Sequence, residues 1–268
     1  VASLVTDQGI IHYETFGRGR PVLLLHGWLG SWELWRNTIE VLGRDFRTYA
    51  LDFWGFGNSE TTGDLSIFTV DHFVEMVSQF MDRLGIPKAP LIGHSMGGTV
   101  SLSTAIRYPE KVVKVVVIGS PIVGSSLNMF LKMAGNPLIA ALLFKFPPLL
   151  RTVITMIAYF LSTPHDRIAL TRMIMKDLSS VTMNSFFQSI GTLHQTDLRP
   201  TLSMVKCPSL GIYGRWDMIV HPNQGRALLS SVKQAQVSWY RNAGHFPMFD
   251  DRKRFDSDLR DFLFTKHT

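Results

Sequence analysis

Short, nearly unbroken apolar runs bounded by turn residues recur along the chain. They are PVLLLH (21–26), FRTYALD (46–52), APLIGH (89–94), KVVVIG (114–119), SLGIYG (209–214) and AQVSWY (235–240). Runs that are apolar at almost every position suit strands buried on both faces, as in a parallel sheet. Between them the period changes. Val70, Phe73, Val74, Val77, Phe80, Met81 and Leu84 recur at helical spacing, and TVSLSTAIRYPE (99–110) reads as a helix halted by Pro109. Phe255, Leu259, Phe262 and Leu263 share one face of a last helix. Strands alternating with helices predict an α/β fold, a mostly parallel central sheet with helices on both sides.

The middle of the chain breaks this rhythm. From about Pro121 to Thr196 no strand pattern stands out, and apolar residues recur at helical spacing. Half of the twelve methionines lie here (Met129, Met133, Met156, Met173, Met175 and Met183), and no Asp or Glu falls between Glu110 and Asp166. The pattern predicts a helical cap over 121–195, inserted between core segments 1–120 and 196–268. A methionine-rich helical stripe suits plain core packing or an adaptable apolar pocket. The most apolar stretch, 137–161, is interrupted by Lys145, Pro147, Pro148 and Arg151. It therefore lacks the roughly 18 uninterrupted apolar residues of a spanning helix.

Composition narrows the classes further. A chain of 268 residues suits one large domain or a domain with an insertion. With 46% hydrophobic and 18% charged residues it does not resemble a disordered chain. A net charge of +6 without a run of five like charges gives little support to nucleic-acid binding. Cys207 is the only cysteine, so an intrachain disulfide and a cysteine-rich metal site are excluded. It reads as a small buried hydrophobe at the start of an apolar run. The segment VASLVTDQGI has neither a basic start nor a long apolar stretch, so no signal peptide is expected and a cytoplasmic protein is predicted.

Four predicted strands end in unusual residues. One leads into His26-Gly27-Trp28, one into Ser95, one into Asp217 and one into His245. In an open parallel sheet the loops after the carboxyl ends of the strands share one rim, so distant residues can converge there. Ser95 lies in Gly93-x-Ser95-x-Gly97, between a strand and a helix. A serine hydroxyl is a poor nucleophile unless a base takes its proton, and it must project from the sheet to meet a substrate. A tight strand-to-helix turn achieves that, with Gly93 and Gly97 relieving the crowding. The N–H of Met96 then opens the next helix, aimed where an oxyanion would form. The order Ser, Asp, His is the one expected after such a turn.

HGW, DFWGFGNS (52–59), GHSMGG, GRWDMIV and AGHF together resemble the α/β-hydrolase fold over nearly the whole chain, the cap excepted. The HGW and GHSMGG pair is most similar to carboxylesterases near the pimeloyl-carrier-protein methyl ester esterases. Monoacylglycerol lipases and C–C bond hydrolases carry similar motifs. The resemblance implies Ser95 as nucleophile, His245 as general base and then acid, and Asp217 as the carboxylate that orients His245. It implies the backbone N–H groups of Trp28 and Met96 as the oxyanion hole, and no cofactor or metal. Serine at 95 disfavours dehalogenases and epoxide hydrolases resembling this fold, which use an aspartate there.

Other residues have plainer readings. His26 is expected to brace the oxyanion loop, and His94 to point away into the packing. His12, His72, His165, His194, His221 and His267 are expected at surface or helix positions. Asp52 rivals Asp217 as a strand-end acid, but the resemblance makes it a cap for its own turn. The strand ending at Gly119 carries no carboxylate. Trp28, Trp32, Trp35 and Trp54 read as packing, with Trp28 also able to wall an acyl pocket. Lys132, Lys145 and Arg151 form a solvated face, or else a patch for an acidic acyl carrier protein or an anionic lipid surface. The leading expectation is a serine esterase for small-molecule esters with short-to-medium apolar acyl groups. C–C bond hydrolysis, perhydrolysis and acyl transfer use the same residues, and a binding protein on the same scaffold is the non-enzymatic alternative.

Overall fold

The computed structural model describes residues 2–63, 66–160 and 167–265. His165 and His267 lie outside the described residues. Among the described residues nine strands form one sheet: β1 (Ala2–Val5), β2 (Gly9–Phe16), β3 (Pro21–Leu25), β4 (Arg47–Leu51), β5 (Glu60–Thr61), β6 (Ala89–His94), β7 (Val112–Ile118), β8 (Ser209–Gly214) and β9 (Ala235–Tyr240). Their order is β1-β2-β4-β3-β6-β7-β8-β9, with β5 beside β2. From β4 onward along this order all neighbours are parallel. The first two strands and β5 pair antiparallel.

The apolar runs at 21–26, 46–52, 89–94, 114–119, 209–214 and 235–240 all correspond to strands. Their lack of alternation has the expected cause, since both faces of the sheet are covered. Val22, Leu24, Ile92, Val116 and Ile118 join a core with Trp35 and Phe255. Leu23, Leu25, Leu91, Val115 and Val117 join a second core with Phe73, Val77 and Phe80. The helices that supply these cores are α1 (Arg36–Leu42), α2 (Val70–Arg83), α3 (Met96–Arg107), α9 (Gln224–Ser231), α10 (Pro247–Asp250) and α11 (Arg252–Phe264). Thr69 caps α2 by accepting the His72 N–H, and α3 stops at Arg107, two residues before Pro109.

Between β7 and β8 lie α4 (Met129–Ala134), α5 (Pro137–Lys145), α6 (Pro147–Phe160), α7 (Arg167–Asp177) and α8 (Met183–Gln195). Two isolated bridges, Val123 with Asp197 and Leu127 with Val220, tie the ends of this helical segment to the sheet's connections.

The N-terminal β1–β2 pair is not evident from the apolar pattern. GIIHYETF mixes His12, Glu14 and Thr15 among its apolar residues, and part of β2 is exposed. His12, expected at the surface, is instead buried in β2 at 2% exposure. Its burial depends on partners far along the chain. The Asp52 carboxylate lies 2.7 Å from Nδ1, and the Ser59 hydroxyl accepts its backbone N–H at 2.8 Å. A buried polar ring needs such partners, and local sequence does not display them.

Backbone packing at the β6–α3 turn leaves no room for side chains at two of its glycines. A β-carbon at Gly93 would enter the backbone of Gly97 and Gly98, and one at Gly97 would enter the Leu25 and His26 carbonyls. Gly97→Ala is therefore expected to lower the unfolding free energy by about 1–3 kcal/mol, the usual range for overpacking. Urea denaturation checks this, and an unchanged midpoint would contradict it.

Candidate active site

The sheet order places β4 and β6 on opposite sides of β3. A crevice therefore opens above the carboxyl ends of β3 and β6, at the topological switch point. β3 leads into His26-Gly27-Trp28 and β6 into Ser95. The loops after β8 and β9 bring Asp217 and His245 to the same rim.

Ser95 has φ 51° and ψ −117°, a conformation that residues with side chains rarely adopt. The surroundings hold it there. Its N–H donates to the Ile118 carbonyl at 2.8 Å, and its carbonyl accepts the Gly98 N–H at 3.0 Å. Met96 is the first residue of α3, so its N–H has no acceptor within the helix. The Gly27 backbone packs directly against the Ser95 turn. A β-carbon there would lie 3.0 Å from the Ser95 β-carbon. The strand end that carries Trp28 is thus adjacent to Ser95.

His245 and Asp217 meet 28 residues apart in sequence. The imidazole Nδ1 lies 2.8 Å from Asp217 Oδ2, and both groups are buried. Against a carboxylate, Nδ1 carries the proton and donates, which leaves Nε2 as the basic nitrogen. The other Asp217 oxygen accepts the Ile219 and Val220 N–H groups, each at 2.9 Å. Gly119 makes room for this pair. With φ 54°, it ends β7, and a β-carbon there would lie 3.0 Å from His245 Nδ1 and 3.2 Å from Asp217 Oδ2. A glycine at a strand end is its only sequence signal.

His26 and His94 frame the site as neutral rings. His26 Nδ1 lies 2.7 Å from the Gly27 carbonyl, and its Nε2 accepts the Phe53 N–H at 3.0 Å. Burial lowers its pKa. His94 does not point away from the site. Its ring packs 4.7 Å from that of His245 and 4.8 Å from that of Phe246, and its Nε2 donates to the His245 carbonyl at 2.9 Å. Burial, and then the nearby His245, hold its pKa well below the usual histidine range. Asp52 stands apart from the pair. Besides His12, it accepts the Trp32 and Asn58 N–H groups. These bonds fix the 52–59 loop.

A cavity of about 70 Å³ joins these groups. Ser95, His245, His94 and Trp28 line its floor, and Leu131, Ile154, Ile157 and Ile174 line its roof. The roof residues come from α4, α6 and α7. Among the described residues the cavity's lining is almost wholly apolar and carries no Lys or Arg. No methionine lines it either. Met129, Met133, Met156 and Met183 are instead exposed, while Met173 and Met175 are partly buried against the two cores. Branched aliphatic side chains shape the cavity. The Trp28 indole donates to the Phe186 carbonyl on α8 at 2.9 Å, and its ring packs 4.8 Å from that of Phe186. Floor and roof are thereby coupled through one residue.

Comparison with known proteins identifies the fold. The family model described as alpha/beta hydrolase fold matches residues 20–252. The chain is 30% identical to a 2-hydroxy-6-oxo-6-phenylhexa-2,4-dienoate hydrolase of Burkholderia cepacia, over 97% of this chain and 94% of that one. It is 26% identical to a pimeloyl-[acyl-carrier protein] methyl ester esterase of Vibrio parahaemolyticus, over 94% and 97%. The enol-lactonase of Burkholderia xenovorans superposes with a TM-score of 0.85 at 20% identity, covering 98% of this chain and 100% of that one.

A second link between roof and floor is ionisable. Asp177, at the end of α7, accepts the Ser31 hydroxyl at 2.9 Å, just beyond the His26–Gly30 loop. Its other oxygen is buried without a hydrogen-bond partner. Burial pushes its pKa up to about 7, opposed by the Ser31 bond and Lys176 and helped by Glu33 and Asp52. Between the ordinary carboxylate range and this value, the folded protein holds a proton that the unfolded chain has lost. Stability therefore falls as pH rises through that window. Asp177→Asn keeps an acceptor for Ser31 and removes the buried charge. It is expected to raise the unfolding free energy at pH 8 by on the order of 2 kcal/mol, and to change it little near pH 4. Urea titrations at the two pH values test this, and a loss of stability at pH 8 would contradict it.

Proposed function

Because the chain belongs to the alpha/beta hydrolase fold family, we propose that it is a serine hydrolase of carboxylic esters with short-to-medium apolar acyl groups. One observation carries the reading. Ser95, in a strained turn, lines an apolar cavity together with a histidine whose Nδ1 is held by a buried carboxylate.

In this reaction Ser95 Oγ attacks the ester carbonyl and passes its proton to His245 Nε2. The carbonyl oxygen, now an anion, takes hydrogen bonds from the Trp28 and Met96 N–H groups. Such a donor typically contributes about 10²–10³ in rate. His245 returns the proton to the leaving alcohol as the C–O bond breaks, leaving an acyl-serine. A water then repeats the attack, with His245 taking its proton and returning it to Ser95. Asp217 fixes the tautomer and favours the imidazolium that forms twice. His94, neutral through burial, places no second positive charge beside it. Trp28 and Phe246 wall the acyl group under the aliphatic roof.

The same groups support hydrolysis of a C–C bond next to a ketone, and the Burkholderia cepacia relative is named as the hydrolase of a 2-hydroxy-6-oxo-6-phenylhexa-2,4-dienoate. Its substrate is a dienoate, which carries a carboxylate. The cavity here offers no lysine or arginine to such a charge, and this favours neutral esters.

Ser95→Ala is expected to lower hydrolysis of p-nitrophenyl butyrate by about 10⁴-fold or more, with an unchanged circular dichroism spectrum. Retained turnover in the folded variant would remove Ser95 from the reaction. With the parent protein, the small aliphatic cavity predicts faster turnover of the butyrate ester than of the acetate or the dodecanoate. A steady rise in kcat/KM to dodecanoate, or much faster cleavage of a ring-cleavage dienoate than of any ester, would contradict the assigned substrate class.

A further inference from the structure

The outer face of the roof is as apolar as the inner one. Of the twenty large apolar side chains exposed among the described residues, ten fall between 129 and 168. Leu138 is 80% exposed, Met129 69%, Phe130 59% and Leu142 55%. An ordinary surface helix is apolar on the side that faces the core and polar on the other. Here α4 gives Leu131 to the cavity and turns Met129 and Phe130 outward, and α6 gives Ile154 to the cavity and turns Met156 outward. In α5, PLIAALLFK, only Ala140 is buried. Water-facing patches of this extent mark a contact surface.

We propose that this face of α4, α5 and α6 docks on an anionic lipid bilayer. Charge points to the occupant. Exposed Lys145 and Arg151 and half-exposed Lys132 accompany the apolar residues, and residues 111–165 contain no Asp or Glu to oppose them. Phe, Leu and Met flanked by Lys and Arg match a helix lying in the headgroup region. The geometry favours lying over crossing. No single helix among the described residues is long and apolar enough to cross a membrane, and α5 and α6 are bent by 113° at Phe146. The roof of the cavity would then rest on the surface where apolar esters collect.

Docking stands apart from the proposed chemistry, because Ser95→Ala protein serves in the test as well as the parent. The protein is sedimented with vesicles of phosphatidylcholine alone and of phosphatidylcholine mixed with phosphatidylglycerol. It is expected to pellet with the mixed vesicles, and less so as salt rises. Leu138→Ser/Leu142→Ser/Phe146→Ser is expected to lower partition by about 10²-fold or more. Lys132→Glu/Lys145→Glu/Arg151→Glu is expected to lower it by about 10²-fold on mixed vesicles, with little change on neutral ones. Thermal melts confirm that both variants fold. Failure of the parent to pellet with either vesicle would overturn the proposal. So would equal pelleting of the serine variant, or a stable dimer of the parent that the serine variant dissociates, since a second copy would then cover the face.

Discussion

The backbone at Ser95 sits in a conformation that a serine does not choose, and the rest of the site depends on its staying there. Three absent side chains permit it. Gly93, Gly97 and Gly98 let the β6 end, the start of α3 and the β3 end approach until any β-carbon would collide. The turn is locked from both neighbouring strands, by the Ile118 carbonyl on β7 and the packing of Gly27 after β3. Strain of this kind persists only where surrounding structure over-determines it.

Around that fixed point the protein arranges buried, hydrogen-bonded side chains. Burial keeps His26 and His94 neutral. Asp217 holds His245 through Nδ1, and two backbone N–H groups hold Asp217 in turn. The roof is not a separate lid laid over this floor. Trp28 reaches Phe186 on α8, and Ser31 reaches Asp177 on α7, so the loop offering a proposed oxyanion donor is tied twice to the helices above it.

Much of this was legible in the sequence, and the rest was not for definable reasons. The parallel strands were visible because burial on both faces removes polar residues from them. The strained turn at Ser95 was visible because crowding demands glycine at fixed spacing. The burial of His12 was hidden because its partners, Asp52 and Ser59, stand 40 and 47 residues away. Gly119 was hidden because its need for a missing side chain arises only when β8 and β9 deliver Asp217 and His245 beside it. Met129, Met133, Met156 and Met183 misled because helical spacing shows that a residue shares a face and does not show what that face meets.

We propose Ser95 as a nucleophile, set by its strained turn and activated by the His245 imidazole that lines the same cavity. Treatment of the folded protein with a fluorophosphonate, followed by peptide mass mapping, tests it most directly. One equivalent of label on Ser95, lost in His245→Ala, is the predicted result. Folded protein that stays unlabelled, or carries its label on another residue, would contradict it.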